Sequence, residues 1–336
     1  GLIARCIFAF EQRFYLKGHF PVNNTGTNEP KKSTKMFVNG VLILTISNIL
    51  VKTIGLLFKI PLHDYLGDEG MGYFNAAYTI YTWFYMISTA GLPIAMSVLV
   101  SKSRAKGNFN QVKKILRLSL WLFFIVGSVG MLILALGSGM FAALIKVERA
   151  NLCILAIAPT LFFVCLTSAY RGYFQGHQIM WPTAVSQLLE SVGKLVLGIL
   201  FASWSISRGD PLYVTAAYTI LGITIGVFCG MVFIWITKLL YNTDAVNAEY
   251  ALPDSYTMPT ERTKTLLKEL VVIAIPVTLS SSVMSLANLV DLMVVSRRLQ
   301  ASGLLEKAAA ALYGNYTTLA VPLFNLPPVL VYPIGY

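Results

Sequence analysis

The chain has 336 residues, of which 56% are apolar and 12% charged, with a formal net charge of +11. So much apolar surface excludes a soluble globular fold, because exposed area grows too fast relative to core to hide it. The excess of Lys and Arg does not point to nucleic acid, since it lies in short segments between long apolar runs, as in a membrane protein facing anionic headgroups.

Residues 1–10 (GLIARCIFAF) are too short to span, carry Arg5 and lack a small-residue cleavage site, so no targeting signal is assigned. Residues 1–35 are set aside as an N-terminal tail; the first methionine is Met36. A hydrocarbon core about 30 Å thick needs roughly 20 apolar residues in a helix. Eight runs satisfy this: 36–60, 73–100, 116–136, 152–170, 183–204, 214–236, 270–295 and 308–331. They are too long and too uniformly apolar for the alternating strands of a barrel. The chain stops at VYPIGY (331–336) with no polar segment after the eighth run, so it is expected to continue beyond this sequence.

With residues 31–35 (KKSTK) in the cytoplasm, the inside segments 31–35, 101–117, 171–181 and 238–270 carry fourteen Lys and Arg. The outside segments 61–72, 138–150, 204–213 and 296–307 carry six. The bias predicts a cytoplasmic N-terminus, with Arg297, Arg298 and Lys307 as the misfit.

A repeat is visible. Asn48 in TISNIL and Asn288 in SLANLV hold like places in the first and seventh runs. Each is followed by a turn and a Tyr-rich helix start, GYFNAAY (72–78) and ALYGNYT (311–317), then by Pro93 or Pro327. Six helices repeated in the same orientation would give this, because an even number of spans returns the chain to its starting side. The expected fold is therefore an all-α polytopic membrane protein: one complete six-helix bundle (36–237), a cytoplasmic linker (238–269), and the first two helices of a second, parallel repeat (270–336).

The run KTIGLLFKIPLHDYLGDEGMGYFN (52–75), GLP (91–93), the basic SKSRAKGNFNQVKK (101–114) and above all RGYFQGHQIMWPTAVSQLLE (171–190) carry a family resemblance. They resemble the polysaccharide flippase branch of the multidrug/oligosaccharidyl-lipid/polysaccharide exporter superfamily, with its sporulation protein B-like and lipid II flippase-like members. The resemblance covers residues 31–336. It implies a two-bundle exporter of twelve to fourteen helices around a V-shaped cavity, in the cytoplasmic membrane. It also implies movement of undecaprenyl-pyrophosphate-linked sugars from the inner to the outer leaflet, beside the glycosyltransferases of envelope synthesis. The chain departs from it in length, being short of several C-terminal helices.

No enzymatic constellation accompanies these features. His19, His63 and His177 are scattered, no HExxH or GxxxxGKS/T motif occurs, and Cys6, Cys153, Cys165 and Cys229 have no CxxC spacing; three of the four lie within apolar stretches, and they read as small buried hydrophobes. Neither cofactor nor metal is expected. The informative residues are charges inside helices, each of which costs on the order of 2.5–3.5 kcal/mol to insert. Lys52 and Lys59 are seven apart, on one helix face, and read as a cationic wall for a pyrophosphate, although Lys59 can also snorkel to headgroups. Glu190 and Lys194, at i and i+4, read as a mutually neutralised pair or as a proton- or sodium-sensitive site. If the first and seventh helices face each other, as the resemblance implies, Asp291 has Lys52 as candidate partner. Arg297 and Arg298 then stand at the outer rim, as substrate-facing cations or as a plain loop pair.

Arg171 and Gln175, with Gly172 and Gly176, read as a tight turn, and Tyr73, Tyr78, Tyr81, Trp83, Phe84 and Tyr85 mainly as packing and interface belt. The expected function is a flippase for a lipid-linked oligosaccharide or peptidoglycan precursor. The alternatives are a cation-coupled multidrug exporter of the same superfamily and a non-transporting scaffold of an envelope-synthesis complex.

Overall fold

The computed structural model describes residues 29–241 and 258–321, and every regular element among them is helical. In chain order these are α1 (Glu29–Thr89), α2 (Gly91–Ala105), α3 (Phe109–Leu136), α4 (Ser138–Leu144) and a 3-10 turn (Glu148–Ala150). Then come α5 (Asn151–Gly176), α6 (Trp181–Ser207), α7 (Leu212–Leu240), α8 (Thr263–Ala301), α9 (Glu306–Asn315) and a π turn (Tyr316–Ala320).

Six stretches of the described residues are long and apolar enough to cross a membrane, and the first, Leu42–Ala105, is 64 residues long. That stretch holds two passes. Gly67 has φ 58° and ψ −174°, a conformation only glycine adopts without strain, and the chain folds back there. Phe58 and Phe74 stand with ring centroids 6.3 Å apart, whereas sixteen residues of unbroken helix would separate them by about 24 Å. The outer segment expected at 61–72 is thus helical on both sides of one residue, with Pro61 inside the helix.

Positive φ marks the turns at both ends of the bundle. Gly67 (φ 58°), Lys146 (55°), Gly209 (75°) and Gly303 (95°) lie at one end, Gly107 (71°) and Gln178 (62°) at the other. These are called the Gly67 end and the Gly107 end below. Helix starts follow local chemistry: Asn108 caps α3 by accepting from the Gln111 amide at 2.9 Å, Pro182 opens α6, and Pro211 precedes α7.

Glycines set the tightest helix contacts. On α7, Gly222, Gly226 and Gly230 recur every fourth residue against α6, and a Cβ on Gly226 would lie 2.8 Å from the Gly193 backbone. In lipid, where hydrophobic burial between helices is weak, such close approach is what binds them. Threonines are tolerated in apolar spans because their hydroxyls bond back to the i−4 carbonyl, as Thr167, Thr219 and Thr237 do. Thr160 and Thr224 also bridge α5 to α7 at 2.7 Å. Facing outward, Phe124, Val129 and Leu132 of α3 are exposed, the surface that lipid chains would cover.

Three expectations are corrected. The RGYFQG stretch is helical to its end, not a tight turn. Its glycines serve packing on α2: a Cβ on Gly172 would sit 2.7 Å from the Pro93 carbonyl oxygen, and one on Gly176 the same distance from Val100. Residues 29–35, expected as tail, belong to α1. Cys229, read from its apolar run as buried like Cys153 and Cys165, is exposed. Cys6, half of the linker (242–257), Pro327 and the end of the eighth run (322–331) lie outside the described residues.

Candidate functional site

The second pass begins after Gly67 with a run of aromatic side chains on one helical face. Phe74 stacks on Tyr78 with centroids 5.9 Å apart, Tyr78 lies 5.7 Å from Tyr81, and Tyr81 lies 5.9 Å from Tyr85. The sequence put Tyr78, Tyr81 and Tyr85 among packing and interface-belt residues and did not single out Phe74. The structure instead makes an interior ladder of Phe74, Tyr78 and Tyr81, continued by Tyr85, along α1. Charged side chains from α5 and α6 stand against it.

Arg171 sits near the end of α5. Its Nε donates to Ser186 Oγ at 3.0 Å, and its Nη2 lies 3.0 Å from Glu190 Oε2. The two charged side chains are only 10% and 16% exposed. Glu190 Oε1 accepts no hydrogen bond from the described protein, and the Nη2 contact is an ion pair by distance without hydrogen-bond alignment. Ser186 passes its own proton to the Thr183 carbonyl at 2.8 Å, which fixes its lone pairs toward the guanidinium.

This corrects the expected Glu190–Lys194 pairing. Helix periodicity puts the two side chains one turn apart, but the guanidinium brought in by α5 takes the carboxylate. Lys194 turns to the aromatic ladder, with Nζ 3.4 Å from the Tyr78 hydroxyl and 5.5 Å from the centre of its ring. Among the described residues no carboxylate pairs with Lys194. Its charge is met by a phenol and a π face, which favour a cation without neutralising it.

The remaining sequence candidates do not converge on this ladder as one group. Lys59 is half-buried and donates to the Thr317 carbonyl at 3.3 Å. Lys52 and Asp291 are both exposed and form no ion pair with each other. Arg297 gives both Nε and Nη2 to the Leu144 carbonyl, at 3.1 and 2.9 Å, and Arg298 beside it is exposed. The residues that sequence reasoning set aside as structural, Arg171 and Tyr78, are the ones that join Glu190 and Lys194. Their signal was present as an unexplained Arg at the membrane end of a helix, but it needed a partner from another helix.

Comparison with known proteins bears on what this arrangement serves. A family model described as "Polysaccharide biosynthesis protein" matches residues 37–336. The "Lipid II flippase MurJ" of Bacillus subtilis is 30% identical over 210 residues, covering 59% of this chain and 38% of that protein. The "Stage V sporulation protein B" of the same organism is 25% identical over 300 residues, covering 89% of this chain and 56% of that protein. A solved "Inward-facing conformation of a multidrug resistance MATE family transporter of the MOP superfamily" superposes with a TM-score of 0.60. Its sequence identity is 18%, and the match covers 83% of this chain and 60% of that one. The chain thus spans about half the length of the curated relatives it matches, and the structural likeness speaks to fold.

Proposed function

From the premise that this chain belongs to the polysaccharide biosynthesis protein family, matched over residues 37–336, we propose that it is part of a membrane flippase for an anionic lipid-linked saccharide. Undecaprenyl-pyrophosphate-linked oligosaccharide and peptidoglycan precursor are the two substrates considered. It carries no enzymatic role in this reading. It works in the cytoplasmic membrane with its N-terminus in the cytoplasm, alongside the glycosyltransferases that make its substrate. Residues 36–237 form its first bundle, 238–269 a linker, and 270 onward the start of its second.

One observation carries the reading. Arg171 takes the one carboxylate that the described residues set beside the ladder, so Lys194 is left as a net cation over Tyr78 in a setting of low dielectric. A fixed cation there offsets part of the desolvation of a pyrophosphate, and flat aromatic faces suit saccharide rings. Lys52 adds an exposed cation on the approach from α1, and Asp291 and Arg298 are kept as secondary contacts. A drug exporter for cations would need the reverse, an unpaired carboxylate facing the interior. A scaffold without transport gives no reason for an unneutralised, half-buried lysine.

The test is reconstitution of the full-length protein in vesicles with a fluorescent polyprenyl-pyrophosphate saccharide, scored by a quencher that cannot cross the bilayer. Protein-dependent loss of sidedness for that lipid, with none for a lipophilic cation, supports the reading. Transport of the cation alone overturns it.

A further inference from the structure

Gly222 and Gly226 of α7 meet the backbone of α6, but Gly230 meets a side chain. A Cβ on Gly230 would lie 2.6 Å from Glu190 Cγ, 3.4 Å from Glu190 Cδ and 3.2 Å from the Ser186 carbonyl oxygen. The stem of Glu190 thus lies across α7 where any other residue would carry its first side-chain carbon. From there its Oε2 stands 3.0 Å from Arg171 Nη2 of α5. Lys194, one turn on along α6, turns instead to the Tyr78 hydroxyl of α1. Opposite charges at i and i+4 ordinarily attract. What parts these two is the direction in which Glu190 leaves its helix, and the space at Gly230 sets that direction.

We propose that Gly230 is a positioning residue: it holds the Glu190 carboxylate on Arg171 and so leaves Lys194 without a carboxylate, although it carries no charge itself. Magnitudes decide what yields in Gly230→Ala. Carbon atoms rest about 3.5–4.0 Å apart, so Glu190 Cγ and the new methyl must separate by about 1 Å or more. Parting α6 from α7 by that much would forfeit the close contacts at Gly222 and Gly226 that bind the helices in lipid. Turning one side chain off its rotamer costs only about 1 kcal/mol. The stem therefore moves. α6 packs on α7 and on α1, and its remaining face carries Leu189, Val192 and Val196 outward. A carboxylate turned to that outward face would enter lipid, at a cost on the order of 3 kcal/mol. On the α1 side it meets Lys194. Alanine at 230 should thus take the carboxylate from Arg171 and give it to Lys194. That a neutralised Lys194 impedes a pyrophosphate rests on the flippase reading; the positioning does not.

Thermal unfolding of the full-length protein in detergent tests the positioning. Lys194→Gln should leave the midpoint of the wild-type protein unchanged. In the Gly230→Ala protein it should lower the midpoint by at least about 2 °C, because an ion pair is lost there. Equal shifts in the two backgrounds overturn this role for Gly230. Should Gly230→Ala yield no monodisperse protein, Gly230→Ala with Glu190→Ala decides, since the stem is then gone. Folded yield equal to that of Glu190→Ala alone supports the role, and no recovery overturns it. Translocation of a polyprenyl-pyrophosphate saccharide in vesicles gives a second readout. Gly230→Ala should slow it by at least about tenfold, as loss of the free cation would. Adding Glu190→Gln should restore the rate of Glu190→Gln alone, because glutamine keeps the stem and its clash and removes only the charge. A packing role predicts no such rescue, and a double variant as slow as Gly230→Ala overturns the positioning. If the midpoints shift as expected while the wild-type protein translocates no lipid, the positioning stands and the flippase reading falls.

Discussion

Arg171 and Glu190 meet at 3.0 Å across two helices, and that contact decides the charge of the interior. Without it Glu190 would have Lys194, one turn on along α6, as its nearest partner of opposite sign, and the ladder would be neutral. With it, one cation remains.

Double-mutant cycles should read this directly. Glu190→Ala should destabilise the protein by about 3 kcal/mol, because Arg171 is left as an uncompensated buried charge, and Arg171→Ala by less, because Lys194 one turn away still offsets Glu190. The pair should couple by about 2 kcal/mol, and Glu190 with Lys194 by well under 1 kcal/mol. Thermal unfolding in detergent measures both cycles. Stronger coupling of Glu190 to Lys194 would return the carboxylate to its helix neighbour.

The α6–α7 seam should tolerate no side chain at its centre. Gly226→Val should abolish accumulation of folded protein, because even the first carbon of the new side chain lies 2.8 Å from the Gly193 backbone. Gly55→Ala, where nothing lies within 4 Å, should leave folded yield unchanged. Size-exclusion profiles of the two variants compare them, and a monodisperse Gly226→Val protein would show that the seam is looser than described.

Sidedness is expected to follow the basic segments. A cysteine at Lys106, exposed beside the Gly107 turn, should resist an impermeant thiol reagent in intact cells, whereas one at Ser302, exposed at the Gly67 end, should label. The opposite pattern would invert the bundle and the direction of transport with it.

Much of this architecture is legible in the sequence. Apolar runs of about twenty residues report spans because every backbone polar group in lipid must bond within its own helix. Pro182, Pro211 and Asn108 mark helix starts by local chemistry alone. What periodicity misses is whatever two distant segments decide together. The turn at Gly67 is shorter than composition suggests, since one left-handed residue suffices. Gly172 and Gly176 look like turn residues, but only the position of α2 reveals them as packing surfaces. Glu190 and Lys194 satisfy the rule for a helix pair, yet a guanidinium nineteen residues earlier in the chain wins because it arrives with Ser186 already oriented. Lys59 and Arg297 read correctly as charges needing a reason. The reason, a carbonyl on another element, has no sequence signature.

In the proposed flippase, Lys194 carries the unneutralised charge that the substrate meets. That role is tested most directly by the translocation rate of a polyprenyl-pyrophosphate saccharide in vesicles holding the full-length protein with Lys194→Gln or Lys194→Arg. The glutamine variant should keep its thermal stability, since a half-buried charge without a carboxylate partner is lost, and should slow translocation by at least about tenfold. The arginine variant should retain partial activity, because the charge stays while its geometry changes. A glutamine variant that folds normally and translocates the lipid at the wild-type rate would show that the substrate does not depend on the Lys194 charge.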